Sequence, residues 1–277
     1  NIESTVGSVV LSKGDISVKV DKEFNLSGSK IKGHKVDIEA SNVNINSTKD
    51  NSTTKTESRN LLGGDLTGSA EYNKTDTNIS AKVDMEIYKK EKEVKKEEKN
   101  NKSIVEGENV NINAKKDVNI KGSDIKGGDV KISGENVNVT SKEIKKETEK
   151  DSVSHNISVG VSAGIGEKGN SVAANVDYKV KHENTKTSET KNEGSSISGE
   201  NVTITGNNVN VKGSEVSAKD KVDIKANVVN ISNDVDKANV TKTLEELGIK
   251  LDVNVREKTL GIIGTVKKLI DERNNLL

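Results

Sequence analysis

Apolar residues recur along this chain in short apolar–polar–apolar triplets. Val36-Asp37-Ile38, Val43-Asn44-Ile45, Val110-Asn111-Ile112, Val118-Asn119-Ile120, Val130-Lys131-Ile132 and Val137-Asn138-Val139 set the pattern, and others begin at Val202, Val209, Val222 and Val229. Alternation at period two places Val and Ile on one face of an extended strand and Asn, Lys, Asp or Thr on the other. Triplets this short do not make a stable hairpin by themselves. Their spacing supplies the missing partner. Val110 to Val130, Val202 to Val222, Val209 to Val229 and Ile16 to Val36 are each 20 residues apart, whereas Phe24 to Val43 and Val118 to Val137 are 19. A coil of this length carrying two or three triplets can stack on the next, so that each strand pairs with its counterpart one turn away. The fold predicted is all-β: a right-handed parallel β-helix, or solenoid. Gly28, Gly33, Gly122, Gly127, Gly134, Gly199, Gly206 and Gly213 fall between triplets, where the chain must turn. Outward Asn44, Asn111, Asn138, Asn210 and Asn230 recur at matching positions and predict polar ladders along the stack.

A longer repeat encloses the shorter one. Similar segments start at Phe24, Val118 and Val209, which puts them 94 and then 91 residues apart, with one extra residue before Val222 in the third. The chain therefore divides into β-helix coils at 1–46, 105–140 and 198–235, with excursions at 47–104 and 141–197 between them. In the second excursion Ile157, Val159, Val161, Ala163 and Ile165 alternate with Ser and Gly. Glu167-Lys168-Gly169-Asn170 reads as a turn, and Val172, Ala174, Val176, Tyr178 and Val180 alternate on the return: a long β-hairpin. The first excursion matches it with Leu66, Gly68, Ala70 and Tyr72, then Ile79, Ala81, Val83, Met85 and Ile87. From about Asp236 the character changes. Leu260, Ile262, Ile263, Val266, Leu269 and Ile270 have helical spacing and predict a short amphipathic C-terminal helix within 236–277, capping the last coil.

Composition agrees with a thin core. Of 277 residues 30% are hydrophobic, 1% aromatic and 32% charged. That is a poor supply for a globular core and enough for a narrow aliphatic column. Without Cys there are no disulfides, no thiol catalysis and no Cys-ligated metal. The net charge of +0 gives no electrostatic case for nucleic acid. No apolar run approaches the ~20 residues of a membrane-spanning helix. A chain that starts at Asn1 reads as a piece of something longer.

Candidate chemistry is sparse, and the chain reads as a non-enzyme without cofactors. His34, His155 and His182 sit at polar positions in different segments, and no nucleophile elbow, HExxH or phosphate-binding loop occurs. Gly63-Gly64-Asp65 and Gly127-Gly128-Asp129 match only the start of a calcium-binding nonapeptide, so they read as corner turns. The mixed-charge run from Lys89 to Lys99 reads as a solvated stem or a short exposed helix. The sharpest candidate surface is the hairpin formed by Ile157–Ile165 and Val172–Val180. Each strand is nine residues of alternating hydrophobicity, about the length of a transmembrane β-strand. Ile157, Val159, Val161, Ile165, Val172, Val176 and Tyr178 are therefore candidates for membrane or partner contact, against packing of the same faces on the chain itself.

The stretch from Gly107 to Val139, GENVNINAKKDVNIKGSDIKGGDVKISGENVNV, resembles the haemagglutinin repeats of large two-partner-secreted proteins, the filamentous haemagglutinin adhesins and contact-dependent growth inhibition toxins. The segment Ser154–Val180 is similar to the hairpin-forming insert of that class. The resemblance implies export through an outer-membrane two-partner-secretion transporter and a long fibre on the surface of a Gram-negative cell. It further implies a role in virulence: adhesion to an unidentified receptor on a host or neighbouring cell, or display of a C-terminal toxin. In the toxin-delivering members, contact with a target-cell outer membrane is implied as well. Neither the secretion domain nor a toxin domain is recognisable in this stretch, so adhesion and toxin delivery both stay open.

Overall fold

The computed structural model describes residues 1–72, 76–166, 169–256 and the backbone of 265–269. All regular structure among them is β-strand. The chain divides into two compact units: one made of Asn1–Thr54, Lys95–Glu147 and Thr187–Asn239, the other of Lys55–Val94, Thr148–Lys186 and Val240–Leu277.

The first unit is a curled parallel sheet of fourteen strands. Its strands fall into six successive coils of three. The first coil holds Val9–Leu11, Ile16–Lys19 and Glu23–Ser27, the second Lys30–Lys32, Lys35–Ala40 and Asn42–Asn46. The third holds Ile104–Glu106, Asn109–Ala114 and Asp117–Lys121, the fourth Asp124–Lys126, Asp129–Ser133 and Asn136–Thr140. The fifth and sixth are the segmented strands Ser196–Lys212 and Glu215–Ser232. Coil stacks on coil with Val36 opposite Val110, Val110 opposite Val130, Val130 opposite Val202 and Val202 opposite Val222, and the register shifts once, between Gly199 and Asn201. The third strands do the same through Val43, Val118, Val137, Val209 and Val229. The core is then a column of aliphatic residues, with Val36, Val43, Val110, Val118, Val130, Val137, Val202 and Val209 almost wholly buried. Identical shapes stack directly, so β-branched side chains fill the column with few apolar residues per coil.

Two polar devices fix the coils from outside the column. Asn25, Asn44, Asn119, Asn138, Asn210 and Asn230 form one continuous ladder in which each amide Nδ2 donates to the Oδ1 of the preceding coil at 2.8–2.9 Å. Serines line one corner. The buried Ser103 hydroxyl lies 2.7 Å from the carbonyl of Asn46, and the Ser195 hydroxyl 2.7 Å from that of Thr140. Asn46 and Thr140 are the last residues of their strands before the chain leaves the coils, and Ser103 and Ser195 stand just ahead of the next coil. Each serine thus ties departure to return. Ser195 also accepts the Ser123 amide at 3.1 Å. Ser195→Ala leaves the Ser123 amide without its acceptor and should cost about 1–3 kcal/mol, read as a lowered denaturant midpoint at unchanged slope.

The corners explain the longer repeat. Gly28, Gly122 and Gly213 close the first, third and fifth coils in left-handed backbone, at φ 54°, 58° and 52°. At the equivalent corner of the second, fourth and sixth coils the chain instead leaves, at Ser47, Ser141 and Asn233. A side chain on Gly122 would reach the Ser47 hydroxyl at 2.6 Å, so glycine there leaves room for the departing neighbour.

The long strands between the coils are Thr48–Asn60, Gly63–Tyr72, Asp76–Asn101, Lys142–Gly166 and Ser171–Glu193. They belong to a second, largely antiparallel sheet in the order Thr48–Asn60, Asp76–Asn101, Lys142–Gly166, Ser171–Glu193, Lys237–Arg256, Thr265–Leu269, with Gly63–Tyr72 also on Asp76–Asn101. The charge run from Lys89 to Lys99 is strand, not helix, and its charges are neutralised in ion pairs such as Glu93–Lys150, Glu97–Lys146 and Glu98–Lys49.

The expected C-terminal helix is not present among the described residues. Lys237–Arg256 is a 20-residue strand, and Val266 and Leu269 lie in a five-residue strand antiparallel to 250–254. Leu260, Ile262, Ile263 and Ile270 lie outside the described residues, as do Glu167 and Lys168 of the expected turn. The physical reason is the period. Leu247, Ile249, Leu251, Val253 and Val255 alternate strictly, and the strand Ser171–Glu193 offers them a pairing edge.

Candidate contact surface

The surface with the most distinctive chemistry belongs to the second unit. Side-chain contacts show which residues share a face. Ser158 hydrogen-bonds Asp84, and a side chain on Gly164 would meet Asn78 and Ser171. Lys179 pairs with Glu246 at 3.4 Å. Ser158, Asp84, Asn78, Ser171, Lys179 and Glu246 therefore lie on one face of the antiparallel sheet, and it is polar. By the alternation of strands, the opposite face carries Ile79, Ala81 and Val83 beside Ala70, Gly68 and Leu66. Ile157, Val159, Val161, Ala163 and Ile165 continue it, then Val172, Ala174, Val176, Tyr178 and Val180, then Leu247, Ile249 and Leu251. Thus two hairpins and the strand from Lys237 present one common apolar face.

That face is exposed. Val161 is 53% accessible, Ile165 69% and Val172 58%. Val159, Val176, Leu66, Ile79, Leu247, Ile249 and Leu251 are exposed too. Of the contact residues read from the sequence, Ile157 is half-buried, and Tyr178 is half-buried with its hydroxyl 2.7 Å from His155 Nδ1. Tyr88 packs edge-on against the same imidazole, with ring centroids 5.4 Å apart. These rings mark one end of the apolar stretch. Leu247, Ile249 and Leu251 are ambiguous in the sequence and were not among its candidate contact residues, although their period-two alternation is the signal that finds them.

Charged groups elsewhere pair locally. Asp84 is held below its ordinary carboxylate range by Lys82, and by Ser158. His182 pairs with Asp151 at 2.6 Å, and His34 lies between Asp15 and Glu108 at 3.3 and 2.8 Å. Gly127 and Gly128 donate to Ser198 and Glu108 carbonyls as corners do, and Asp129 accepts from Asn201. Among the described residues no group of three or more His, Asp or Glu is placed to hold a metal ion. Glu106, half-exposed on the coils, has its carboxyl drawn down to about 2 by hydrogen bonds from Lys32 and Lys30. A carboxyl depressed in the folded state stabilises that state above its unfolded value of 4.5, and the contribution is lost as pH falls toward 2. NMR titration of Glu106 should place its midpoint near 2, and Glu106→Gln should flatten the acid limb of the stability curve.

The Hemagglutinin repeat family profile matches residues 1–133 and 88–245. This chain belongs to the Hemagglutinin repeat family. The two matches overlap at 88–133, which takes in the third coil and the first two strands of the fourth, as expected of a profile laid twice along a repeating chain. A protein of Proteus mirabilis named Hemolysin is 28% identical over 281 residues, an alignment that takes in 99% of this chain and 17% of the hemolysin. This hemagglutinin-repeat chain thus spans about a sixth of the curated relative it matches. No solved structure matches it.

Proposed function

We propose that this hemagglutinin-repeat chain is a non-enzymatic stalk segment of a large, secreted, two-partner-type surface exoprotein. Its parallel sheet is a right-handed β-helix whose coils add length to a fibre. The fibre holds an adhesive or toxic part away from a Gram-negative cell surface, after export through an outer-membrane transporter. The observation that carries this reading is the stacking of six coils, like residue on like residue, with a continuous asparagine ladder outside and an aliphatic column inside. Backbone ladders of this kind resist extension and grow by simple repetition. In this reading the chain is organised as coils at 1–46, 105–140 and 198–235 with excursions at 47–104 and 141–197, and the tail from 236 begins a further long strand. Outward Asn, Lys, Ser and Thr faces are available to an adhesion receptor.

The test is a deletion in the parent protein. Six coils at about 4.8 Å per strand spacing amount to ~29 Å. Removal of residues 1–235 in frame should shorten the surface fibre by roughly that amount in cryo-electron tomograms while export continues. A fibre of unchanged length would overturn the stalk reading. A second reading assigns the exposed face around Val159, Val161, Ile165, Val172 and Val176 to contact with a partner or a target-cell outer membrane, in aid of toxin delivery. It is favoured by the exposure of those residues on one face, and vesicle flotation of the purified segment tests its lipid form.

A further inference from the structure

We infer that the apolar face of the antiparallel sheet is a self-association surface, on which a second copy of this chain packs sheet to sheet. The inference rests on reading that face as a contact surface, and it names the occupant.

Area is the first argument. The face spans five strands, Gly63–Tyr72, Asp76–Asn101, Lys142–Gly166, Ser171–Glu193 and Lys237–Arg256. At about 4.8 Å between strands and ~3.3 Å per residue, a patch five strands wide and nine residues long covers roughly 700 Å². Two such faces bury about 1,400 Å² together, which lies within the range of stable specific interfaces. The chemistry of the patch is the second argument. Its centre is Val and Ala: Val159, Val161, Ala163, Val172, Ala174 and Val176. Small and β-branched side chains on a pleated surface interdigitate at the ~10 Å spacing of packed sheets. The stretch from Ile157 to Ile165 and from Val172 to Val176 places no charge on this face, so a copy of the patch meets itself without like-charge repulsion. Self-complementarity of that kind is what a two-fold interface requires.

The reverse of the sheet decides against lipid as the occupant. Asp84, Lys82, Ser158, Asn175, Lys179 and Glu246 line it. A sheet inside a bilayer needs closed edges and an aromatic girdle. This chain carries three Tyr, one Phe and no Trp, and Tyr178 is engaged by His155. An apolar face backed by ion pairs suits a two-layer sandwich, in which each copy keeps its polar face in water.

The chain has no cysteine, which makes the experiment direct. Sedimentation of the full chain over 1–100 µM should show a mass twice that of the 29.7 kDa monomer. The double variant Val161→Lys, Val176→Lys should weaken association at least about a hundredfold, because lysines buried without partners carry a full desolvation cost. Since both positions are exposed in the single chain, its circular dichroism should not change. Under mild oxidation Val161→Cys should form a covalent dimer, whereas Ser162→Cys, on the polar face, should not. A wild-type monomer at 100 µM, or a dimer indifferent to both lysines, would overturn the inference. If the monomer instead floats with anionic vesicles, the face remains a contact surface and only self-association falls. A monomer that binds neither itself nor lipid removes both readings.

Discussion

Ile120→Asp should abolish the folded state of the parallel sheet, with no cooperative melt by circular dichroism. Ile120 is fully buried in the column, directly between Ile45 and Val139 of the adjoining coils. An aspartate there puts a carboxylate among aliphatic side chains with no donor in reach, a cost that exceeds 4–5 kcal/mol. Total stabilities are only about 5–15 kcal/mol. The conservative series should grade accordingly: Ile120→Val about 0.5–1.5 kcal/mol and Ile120→Ala about 2–5. Because each coil touches only its neighbours, the loss should spread outward from the third coil. Hydrogen exchange on Ile120→Ala should therefore show the second, third and fourth coils losing protection before the sixth. Uniform loss across all coils would mean that the coils do not behave as separately coupled units.

Gly122→Val should be nearly as damaging, for a different reason. Gly122 sits at φ 58°, a backbone region that β-branched residues almost never enter. Strain of that kind costs about 1–3 kcal/mol. The new Cβ would also lie 2.5 Å from the Lys142 side chain and 2.6 Å from the Ser47 hydroxyl. Both neighbours belong to the points where the chain leaves adjoining coils, so relief of the clash has to move a strand root, and overpacking adds about 1–3 kcal/mol. The unfolding free energy should fall by the sum of the two, about 2–6 kcal/mol, read as a lowered denaturant midpoint. Gly122→Asn, which tolerates the backbone conformation, should recover part of the strain and none of the clash. The equivalent corners Gly28 and Gly213 face Thr48 and Asp234 in the same manner and should respond alike.

Much of the parallel sheet was legible in the residues. Period-two triplets spaced 19–20 apart state which side chains point inward and which coil lies above which, because stacking in register is what hides all the valines at once. The observed partners Val110–Val130 and Val118–Val137 are those pairs. The outward asparagines were legible for the same reason, and their ladder runs through all six coils. Glycines between triplets marked corners, but not that only Gly28, Gly122 and Gly213 take the left-handed form. That follows from the alternation of closed corners with corners where the chain departs, which concerns neighbouring coils and not local sequence.

The tail and the contact surface were less legible. Leu247, Ile249 and Leu251 are ambiguous beside residues with helical spacing further on, and a strand pattern becomes a strand only when an edge is available. That edge is Ser171–Glu193, more than 50 residues earlier in the chain. The sequence likewise showed that Val161 and Val176 lie on the apolar sides of their own hairpin. It did not show that the two hairpins and the strand from Lys237 join as one sheet.

By itself, then, the sequence determined the coil, its column and its polar ladders, since these depend on spacings of about 20 residues between like side chains. Only the tertiary structure decided how Ser103 and Ser195 fasten the chain where it leaves and re-enters the coils, and how three separate stretches share one apolar face. Those arrangements depend on pairing between strands whose sequences carry no record of each other's register, and hydrogen bonding between backbones is indifferent to which apolar residue stands opposite.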